Sequence, residues 1–136
     1  MKHTRVDELM TTMVLTVSPD DHVSRARDLM TSADVRHLPV VDAERRVVGI
    51  LSNRDLLLAM FADGKVDAVM SRNVRSVKAG CLAEEAVSLM LSEKIGAVLV
   101  LDDAGKLVGI VTETDFLVAA QHALRGAQIG GGGTTF

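Results

Sequence analysis

The chain repeats itself at an offset of 60 residues. Residues 6–56 laid over residues 66–116 match at 15 of 51 positions without a gap, and the matches include Asp55 with Asp115. A duplicated unit normally builds a module with two-fold symmetry, in which equivalent surfaces face each other. The cleft between the two halves is therefore the first place to look for a function.

The composition favours a folded domain and argues against nucleic-acid partners. At 136 residues the chain has the length of one domain, and 48% hydrophobic residues are enough to build a core. Only 2% of the residues are aromatic, so we expect an aliphatic, methionine-rich core without platforms that stack bases. The net charge of −3 offers no broad basic surface to a phosphate backbone. We therefore expect no nucleic acid as a partner.

The single cysteine and the short apolar runs indicate in which cellular compartment the protein is expected. Cys81 is the only cysteine, which excludes an intramolecular disulfide and fits a reducing environment. The first residues are polar, unlike a signal peptide, and no stretch reaches the ~18 apolar residues that span a bilayer. The expectation is a soluble cytoplasmic protein without a membrane partner.

Hydrophobic periodicity predicts the same five elements in each repeat. Val23, Ala26, Leu29 and Met30 mark one face of an amphipathic helix. Two β-rich runs separated by a short polar break predict a hairpin. The elements predicted for the first repeat are a strand at 14–17, a helix at 23–32, strands at 38–41 and 47–51, and a helix at 56–61. Those predicted for the second are a strand at 74–77, a helix at 83–92, strands at 97–101 and 107–111, and a helix from Asp115 to about Arg125, ended by Gly126.

The repeat also sets the predicted domain boundaries. These are a flexible N-terminus at 1–5, a first repeat at 6–61, a connection at 62–65, a second repeat at 66–125 and a flexible glycine-rich tail at 126–136. Four consecutive glycines at 130–133 make the tail costly to order, because glycine loses the most backbone entropy.

The segment with the most chemical information follows the last strand of each repeat. Gly49–Asp55 and Gly109–Asp115 share a strand end, a hydroxyl residue (Ser52 or Thr112) and an aspartate three positions later, at a helix start. A hydroxyl donates to phosphate or ribose oxygens, and a carboxylate accepts two hydrogen bonds from a vicinal diol. The helix N-terminus adds free amides and a partial positive charge. Together these groups would form a nucleoside-phosphate site without a catalytic group.

The same pattern has a second interpretation that involves no ligand. Ser/Thr-x-x-Asp before an apolar run is close to a capping box, in which the hydroxyl caps the helix and the carboxylate reaches back. Such a cap alone stabilises a helix by about 0.5–2 kcal/mol. From the spacing alone, capping is the more common reason for the pattern. Its occurrence at the end of two tandem repeats shifts the balance toward a ligand site.

Two segments of the first repeat and their partners in the second resemble the cystathionine-β-synthase (CBS) domain family. They are Val35–Asp42 and Val48–Asp55, and the resemblance covers about residues 6–120. It implies a tandem pair (a Bateman module) of α/β class, with two β-α-β-β-α repeats related by a pseudo-two-fold axis. It also implies two clefts that bind adenosine-containing ligands, namely AMP, ADP, ATP, S-adenosylmethionine or NAD.

By the same resemblance, each cleft has its own set of ligand-binding residues. Asp55 and Asp115 would hold ribose hydroxyls, while Ser52 and Thr112 would approach phosphate or ribose. The other residues implied for the first site are Thr16, Arg36, His37, Leu38, Pro39 and Arg54. Those implied for the second site are Ser76, Gly96, Ala97, Val98 and Thr114.

The two implied sites differ in charge. Where the second repeat has Gly96, Ala97 and Thr114, the first has Arg36, His37 and Arg54. A buried phosphate needs a counter-charge, and arginine supplies paired donors to its oxygens. The hypothesis is that the Asp55 site prefers a phosphorylated ligand, while the Asp115 site binds a less charged ligand or stays empty. The alternative is that both arginines are solvated surface residues.

The second repeat departs from the family pattern at two positions. Leu99 stands in the place of Pro39, and Leu82, opposite His22, offers no obvious N-cap to the following helix. Neither change breaks the predicted fold, but both weaken the prediction of a ligand site in the second repeat.

No group of residues indicates catalysis. The four histidines lack the spacing of metal ligands, and Cys81 has no companion cysteine. We therefore predict a module that is not an enzyme, has no metal site, needs no cofactor and takes an adenine nucleotide as a regulatory ligand. A structural or interaction module with vestigial clefts is the alternative.

The predicted partners include a second copy of the chain. The helices at Leu56–Phe61 and Asp115–Leu124 carry more apolar surface than a thin module buries alone, which favours a homodimer. A regulated protein is the other expected partner.

Overall fold

The computed structural model describes residues 3–59 and 64–131, and only the backbone in 127–131. The helices and strands are, in chain order, α1 (Val23–Ala33), β1 (His37–Val41), β2 (Val47–Ser52), α2 (Asn53–Leu58), β3 (Ser76–Lys78), α3 (Ala83–Glu93), β4 (Ala97–Leu101), β5 (Leu107–Thr112) and α4 (Glu113–Gly131). Single 3₁₀ turns at Val6–Glu8 and Val66–Ala68 precede them in each repeat. Parts of the predicted termini, the connection and the tail lie outside the described residues.

The two hairpins confirm the predicted strands to within one residue. Strand β1 pairs antiparallel with β2, and β4 pairs antiparallel with β5. The register is the same in both, since His37 lies opposite Ser52 and Ala97 lies opposite Thr112. This register brings the start of one strand next to the hydroxyl residue that ends its partner.

The first predicted strand of each repeat differs from the structure. In the second repeat it is β3, two residues later than predicted at its start, and it pairs in parallel with β4. In the first repeat only Val17 pairs, in a single parallel bridge to Val40, so the strand predicted at 14–17 is wrong. The Leu99 amide donates to the Arg75 carbonyl at 3.1 Å, and the equivalent Pro39 has no amide hydrogen with which to extend the ladder.

Two helices also differ from their predicted bounds. Helix α2 begins at Asn53, three residues before its predicted start, because Ser52 caps it. Helix α4 continues through Gly126 to Gly131, so the helix end predicted at Gly126 is wrong. A single glycine in a helix interior costs about 1 kcal/mol relative to alanine, which does not by itself end a helix. The predicted flexibility of residues 126–136 stays a prediction.

The segment that precedes each repeat packs on the other repeat. The Val6 amide donates to Cys81 O at 2.8 Å, and Thr11 exchanges two backbone hydrogen bonds with Ile110. In the same way the Val66 amide donates to Asp21 O at 2.8 Å, and Ser71 exchanges two with Ile50. The two repeats therefore exchange their first turns.

The exchanged segments complete the hydrophobic cores. Val66, Val69 and Met70 pack with the core of the first repeat, and Val6 and Met10 pack with that of the second. A third cluster draws on both repeats. It contains three equivalent pairs (Val14 with Val74, Val47 with Leu107, Ile50 with Ile110) together with Ala97 and Leu99. Contact between equivalent residues is what a pseudo-two-fold arrangement produces.

The first helices of the repeats begin differently, as the sequence predicts. The His22 ring nitrogen Nδ1 accepts a hydrogen bond from the Ser24 amide at 3.2 Å and so caps α1. Leu82 occupies the same position before α3 and makes no side-chain cap. The missing cap is confirmed, and α3 is complete without it.

Candidate functional site

The junction of β2 and α2 holds Ser52 and Asp55 in a reciprocal pair. Ser52 Oγ accepts from the Asp55 amide at 3.1 Å, and Asp55 Oδ2 accepts from the Ser52 amide at 2.8 Å. The capping interpretation of this motif is therefore confirmed. Among the described residues Asp55 Oδ1 has no hydrogen-bond partner, so the carboxylate can cap the helix and still accept from another group.

The junction of β5 and α4 repeats this geometry with one addition. Asp115 Oδ2 accepts from the Thr112 amide at 2.8 Å and from Thr112 Oγ1 at 3.2 Å. Its Oδ1 lies 3.5 Å from Thr11 Oγ1, which belongs to the exchanged segment before the first repeat. The second carboxylate is therefore more fully engaged within the protein than the first.

The start of β1 lies beside the Ser52 motif. The Asn53 amide donates to Arg36 O at 2.8 Å, which ties the entry of β1 to the first turn of α2. Arg36 is exposed and His37 is half-buried, whereas the side chains of Leu38 and Pro39 are buried in the core. Arg36 and His37 are thus the side chains of this segment that can face a cleft.

Arg54 follows on the first turn of α2 and is exposed. In the described part of the chain, neither the Arg36 nor the Arg54 guanidinium forms an ion pair. The structure therefore brings Arg36, His37, Ser52, Arg54 and Asp55 to one end of the β1–β2 hairpin. This end carries two arginines whose charge is available to an anion.

His37 reaches the equivalent position of the second repeat. A methyl group placed on Gly96 would lie 3.4 Å from His37 Cε1 and 3.3 Å from Glu113 Oε1. Burial lowers the pKa of His37, and this effect outweighs the negative charges of Glu113 and Asp55, which act to raise it. The imidazole therefore lies where the two repeats meet, near one carboxylate of each.

Glu113 was not among the residues predicted for a site. It stands one position after Thr112, where the first repeat has Asn53. The sequence signal was present in that comparison, because a carboxylate replaces a neutral amide beside one of two otherwise equivalent motifs. Glu113 adds a negative charge near the predicted second site.

The remaining predicted residues are more dispersed. Ala97 and Val98 are buried, Gly96 is half-buried, and Thr114 and Ser76 are exposed. Thr16 lines a cavity of about 360 Å³ with Ser18, Pro19, Asp20, Val41 and Asp42. This cavity lies at the end of β1 away from His37, so Thr16 lies at the opposite end of the strand from Ser52 and Asp55.

No cluster of three or more His, Cys, Asp or Glu side chains in the described ranges, 3–59 and 64–131, is arranged to hold a metal ion. Over the same ranges, none of the helices combines the length and the apolar character needed to cross a bilayer.

Comparison with known proteins identifies the architecture. A family model of the CBS domain matches residues 6–62 and again residues 66–122. The crystal structure of CBSX2 in complex with AMP aligns at a TM-score of 0.82 and 29% identity, covering 88% of this chain and 98% of that one. The CBS domain pair of protein MJ0100, in complex with 5′-methylthioadenosine and S-adenosylmethionine, aligns at a TM-score of 0.83 and 25% identity, with the same coverage.

Curated sequences lead to the same family. An inosine-5′-monophosphate dehydrogenase of Methanocaldococcus jannaschii is 37% identical over 113 residues, which are 83% of this chain and 23% of the relative. The chain thus spans about a quarter of the length of that enzyme. The two matched units, in tandem and with the fold of solved CBS pairs, show that the chain belongs to the CBS domain family.

Proposed function

We propose that this CBS pair is a regulatory module that binds adenosine-containing ligands of the AMP, ADP, ATP, S-adenosylmethionine or NAD type and has no catalytic activity. The observation that carries the proposal is the pair of Ser/Thr-x-x-Asp motifs, each at a helix N-terminus next to the entry of a neighbouring strand. The open oxygen of Asp55, beside the positive end of a helix, suits a ribose and its phosphate. The AMP and S-adenosylmethionine complexes of similar CBS pairs support this ligand class.

The first site is proposed to prefer a phosphorylated ligand. Arg36 lies beside the Ser52 motif and Arg54 lies within it, and neither has an ion-pair partner among the described residues. Near the second site the corresponding residues are Gly96 and Thr114, and Glu113 adds a negative charge. Titration of the first site with AMP and with adenosine tests this difference, and equal affinities for the two would contradict it.

The proposed mechanism is a shift of population. A ligand held between the repeats contacts groups of both, because His37 of one repeat lies against Gly96 of the other. It therefore stabilises the arrangement of repeats or subunits that it binds best. The proposed partners are a second copy of the chain and a regulated protein, in a cytoplasmic setting.

A second candidate is an interaction module with vestigial clefts. The observation in its favour is that both aspartates already have a structural task as helix caps. Thermal denaturation with AMP, ATP, S-adenosylmethionine and NAD separates the candidates, because a ligand that binds the folded state raises the melting temperature. A rise with one or more of them supports the sensing module, and a flat response to all at millimolar concentration supports the interaction module. Mass spectrometry of small molecules released by heat from the purified protein would name a natural ligand.

A further inference from the structure

The His37 side chain lies beside the Ser52 motif of its own repeat. In the antiparallel ladder His37 stands opposite Ser52. A hydrogen bond from the Asn53 amide to Arg36 O joins the neighbouring pair, which leaves His37 and Ser52 as a closely spaced pair without hydrogen bonds between them. The side chains of such a pair lie on one face of the hairpin, with Cβ atoms about 5 Å apart. The imidazole is therefore next to the hydroxyl that would approach a phosphate or ribose at the proposed first site.

The same imidazole also reaches the second repeat. The Glu113 amide donates to Gly96 O at 3.2 Å, so the carboxylate of Glu113 lies beside a residue that has no side chain. A methyl group on Gly96 would lie 3.3 Å from Glu113 Oε1 and 3.6 Å from His37 Nε2. The carboxylate of one repeat and the imidazole of the other therefore border the same small space.

Both ring nitrogens of His37 are open to exchange a proton. In the part of the chain that the structure describes, neither nitrogen makes a hydrogen bond, and neither is buried from solvent. The charged groups that act on the ring are Glu113 at the start of α4, Asp55 in the first turn of α2 and Arg36 just before β1.

These groups and the burial of the ring act in opposite directions. Burial has the largest effect and favours the neutral imidazole, and the charge of Arg36 acts in the same direction. The carboxylates of Glu113 and Asp55 favour the protonated form. The pKa of His37 is therefore below its ordinary value of 6.5, and the ring is mainly neutral at pH 7.

A phosphate beside the Ser52 motif would change this balance. Negative charge within about 6 Å of an imidazole favours its protonated form, so a phosphorylated ligand would draw a proton onto the ring as it binds. The effect is reciprocal, because a proton on the ring strengthens the binding of the phosphate by the same factor. An uncharged nucleoside brings no such charge and gains no affinity from the proton.

We propose that His37 is a proton-dependent specificity residue of the first site, whose protonated form strengthens the preference for phosphorylated over unphosphorylated adenosine ligands. This role rests on the function proposed above and adds its regulation, since the module then binds AMP more tightly as the pH falls. Glu113 sets the pH range of the response. Because Glu113 belongs to the other repeat, the second repeat adjusts how the first one responds to protons.

Isothermal titration of the full-length chain with AMP at pH 7.5 and pH 6.0 tests the role of His37. Over this interval the AMP affinity of the wild type should rise by about threefold or more relative to that of His37→Gln, because one linked proton changes an affinity by up to about tenfold per pH unit. The phosphate of AMP itself titrates near pH 6, and the comparison cancels this contribution because both proteins meet the same ligand.

Two controls accompany this titration. His122→Gln, at an exposed position on α4, should follow the wild type. Adenosine, which has no phosphate, should show no rise in affinity that depends on His37. An equal pH dependence of AMP binding in the wild type and in His37→Gln would overturn the proposal. A wild-type chain that binds AMP at neither pH would instead remove the proposed ligand class itself, which separates the two failures.

NMR titration of the histidine rings tests the role of Glu113 without a ligand and with His37 in place. The Cε1 proton of His37, assigned by its absence from His37→Gln, should titrate below pH 6.5. Glu113→Gln should lower this midpoint by about 0.5. Glu84→Gln is the matched control, since Glu84 also lies in the first turn of a helix but is not among the groups that act on the ring. A midpoint that Glu113→Gln leaves unchanged would overturn the control by the second repeat.

Discussion

The Met10 side chain lies directly on Gly109, although the two residues come from different repeats. A Cβ atom at Gly109 would lie 2.8 Å from Met10 Cγ and 3.1 Å from Thr11 O. Met70 lies on Gly49 in the same way, 2.9 Å from such an atom at its Cγ. The exchanged segments can cross the strands this closely because a glycine leaves room at each crossing.

Alanine at either glycine should therefore destabilise the fold. We expect Gly109→Ala and Gly49→Ala each to lower the free energy of unfolding by about 1–3 kcal/mol, since the methionine and a backbone carbonyl must both move. Urea denaturation measures the change. Gly80→Ala is the control, because nothing lies within 4 Å of a Cβ there, and it should change stability by less than about 0.5 kcal/mol. Equal effects at all three positions would contradict the crossing.

The exchange of segments between the repeats could not be predicted from the sequence. Periodicity and turn residues predicted the hairpins and the helices, because those signals act within a few residues. Matching Met10 with Met70 showed that the two positions are equivalent, but not that each packs on the other repeat. That choice depends on contacts about 100 residues apart in the chain, such as Thr11 with Ile110, and no local pattern carries it.

The candidate site was likewise predictable only in its local part. Asp55 and Asp115 lie at helix starts as predicted, because strand, hydroxyl residue and acid are consecutive in the chain. The approach of His37 to Gly96 and Glu113 was not predictable, since it depends on how the two repeats meet. The sequence difference between Asn53 and Glu113 was visible, but only the structure places it next to the imidazole.

Arg45 offers a test of strain in the turn of the first hairpin. Its φ is +64°, whereas the equivalent residue of the second repeat is Gly105, with a φ of +82°. A left-handed residue with a side chain costs about 1–2 kcal/mol. Part of that cost is offset by the greater freedom of glycine in the unfolded chain, so Arg45→Gly should raise the free energy of unfolding by about 0.5–1 kcal/mol. Gly105→Arg should lower it, and a loss of stability in Arg45→Gly would contradict the strain.

His37 should make the stability depend on pH. Burial lowers its pKa in the folded state below the ordinary value of 6.5. Between the folded pKa and 6.5 the unfolded chain binds more protons than the folded chain. The stability that the neutral imidazole contributes is therefore fully present above pH 6.5 and is lost as the pH falls through the folded pKa.

The His37→Gln variant should remove this component. Its free energy of unfolding, from urea denaturation between pH 7.5 and pH 5, should fall less steeply than that of the wild type. His122→Gln, at an exposed position on α4, is the control and should keep the wild-type slope. Identical slopes for His37→Gln and the wild type would show that the imidazole is equally protonated in both states.

Asparagine in place of each aspartate separates ligand binding from capping. The amide oxygen of Asp55→Asn can still accept from the Ser52 amide, so the cap and the stability should be largely kept. The charge and one acceptor for a ribose diol are lost, and AMP affinity by isothermal titration should fall by about tenfold or more. Asp115→Asn should leave AMP affinity nearly unchanged, because the basic residues lie at the first site.

Asp21→Asn is the matched control for these variants. Asp21 Oδ2 accepts from the Ser18 amide at 2.8 Å, the same hydrogen bond that Asp55 makes with the Ser52 amide. It stands before α1, at a turn that no part of the proposed ligand contacts require, so its substitution reports the structural effect alone. If Asp55→Asn and Asp21→Asn changed stability and AMP affinity alike, the aspartate of the Ser-x-x-Asp motif would be a helix cap and nothing more.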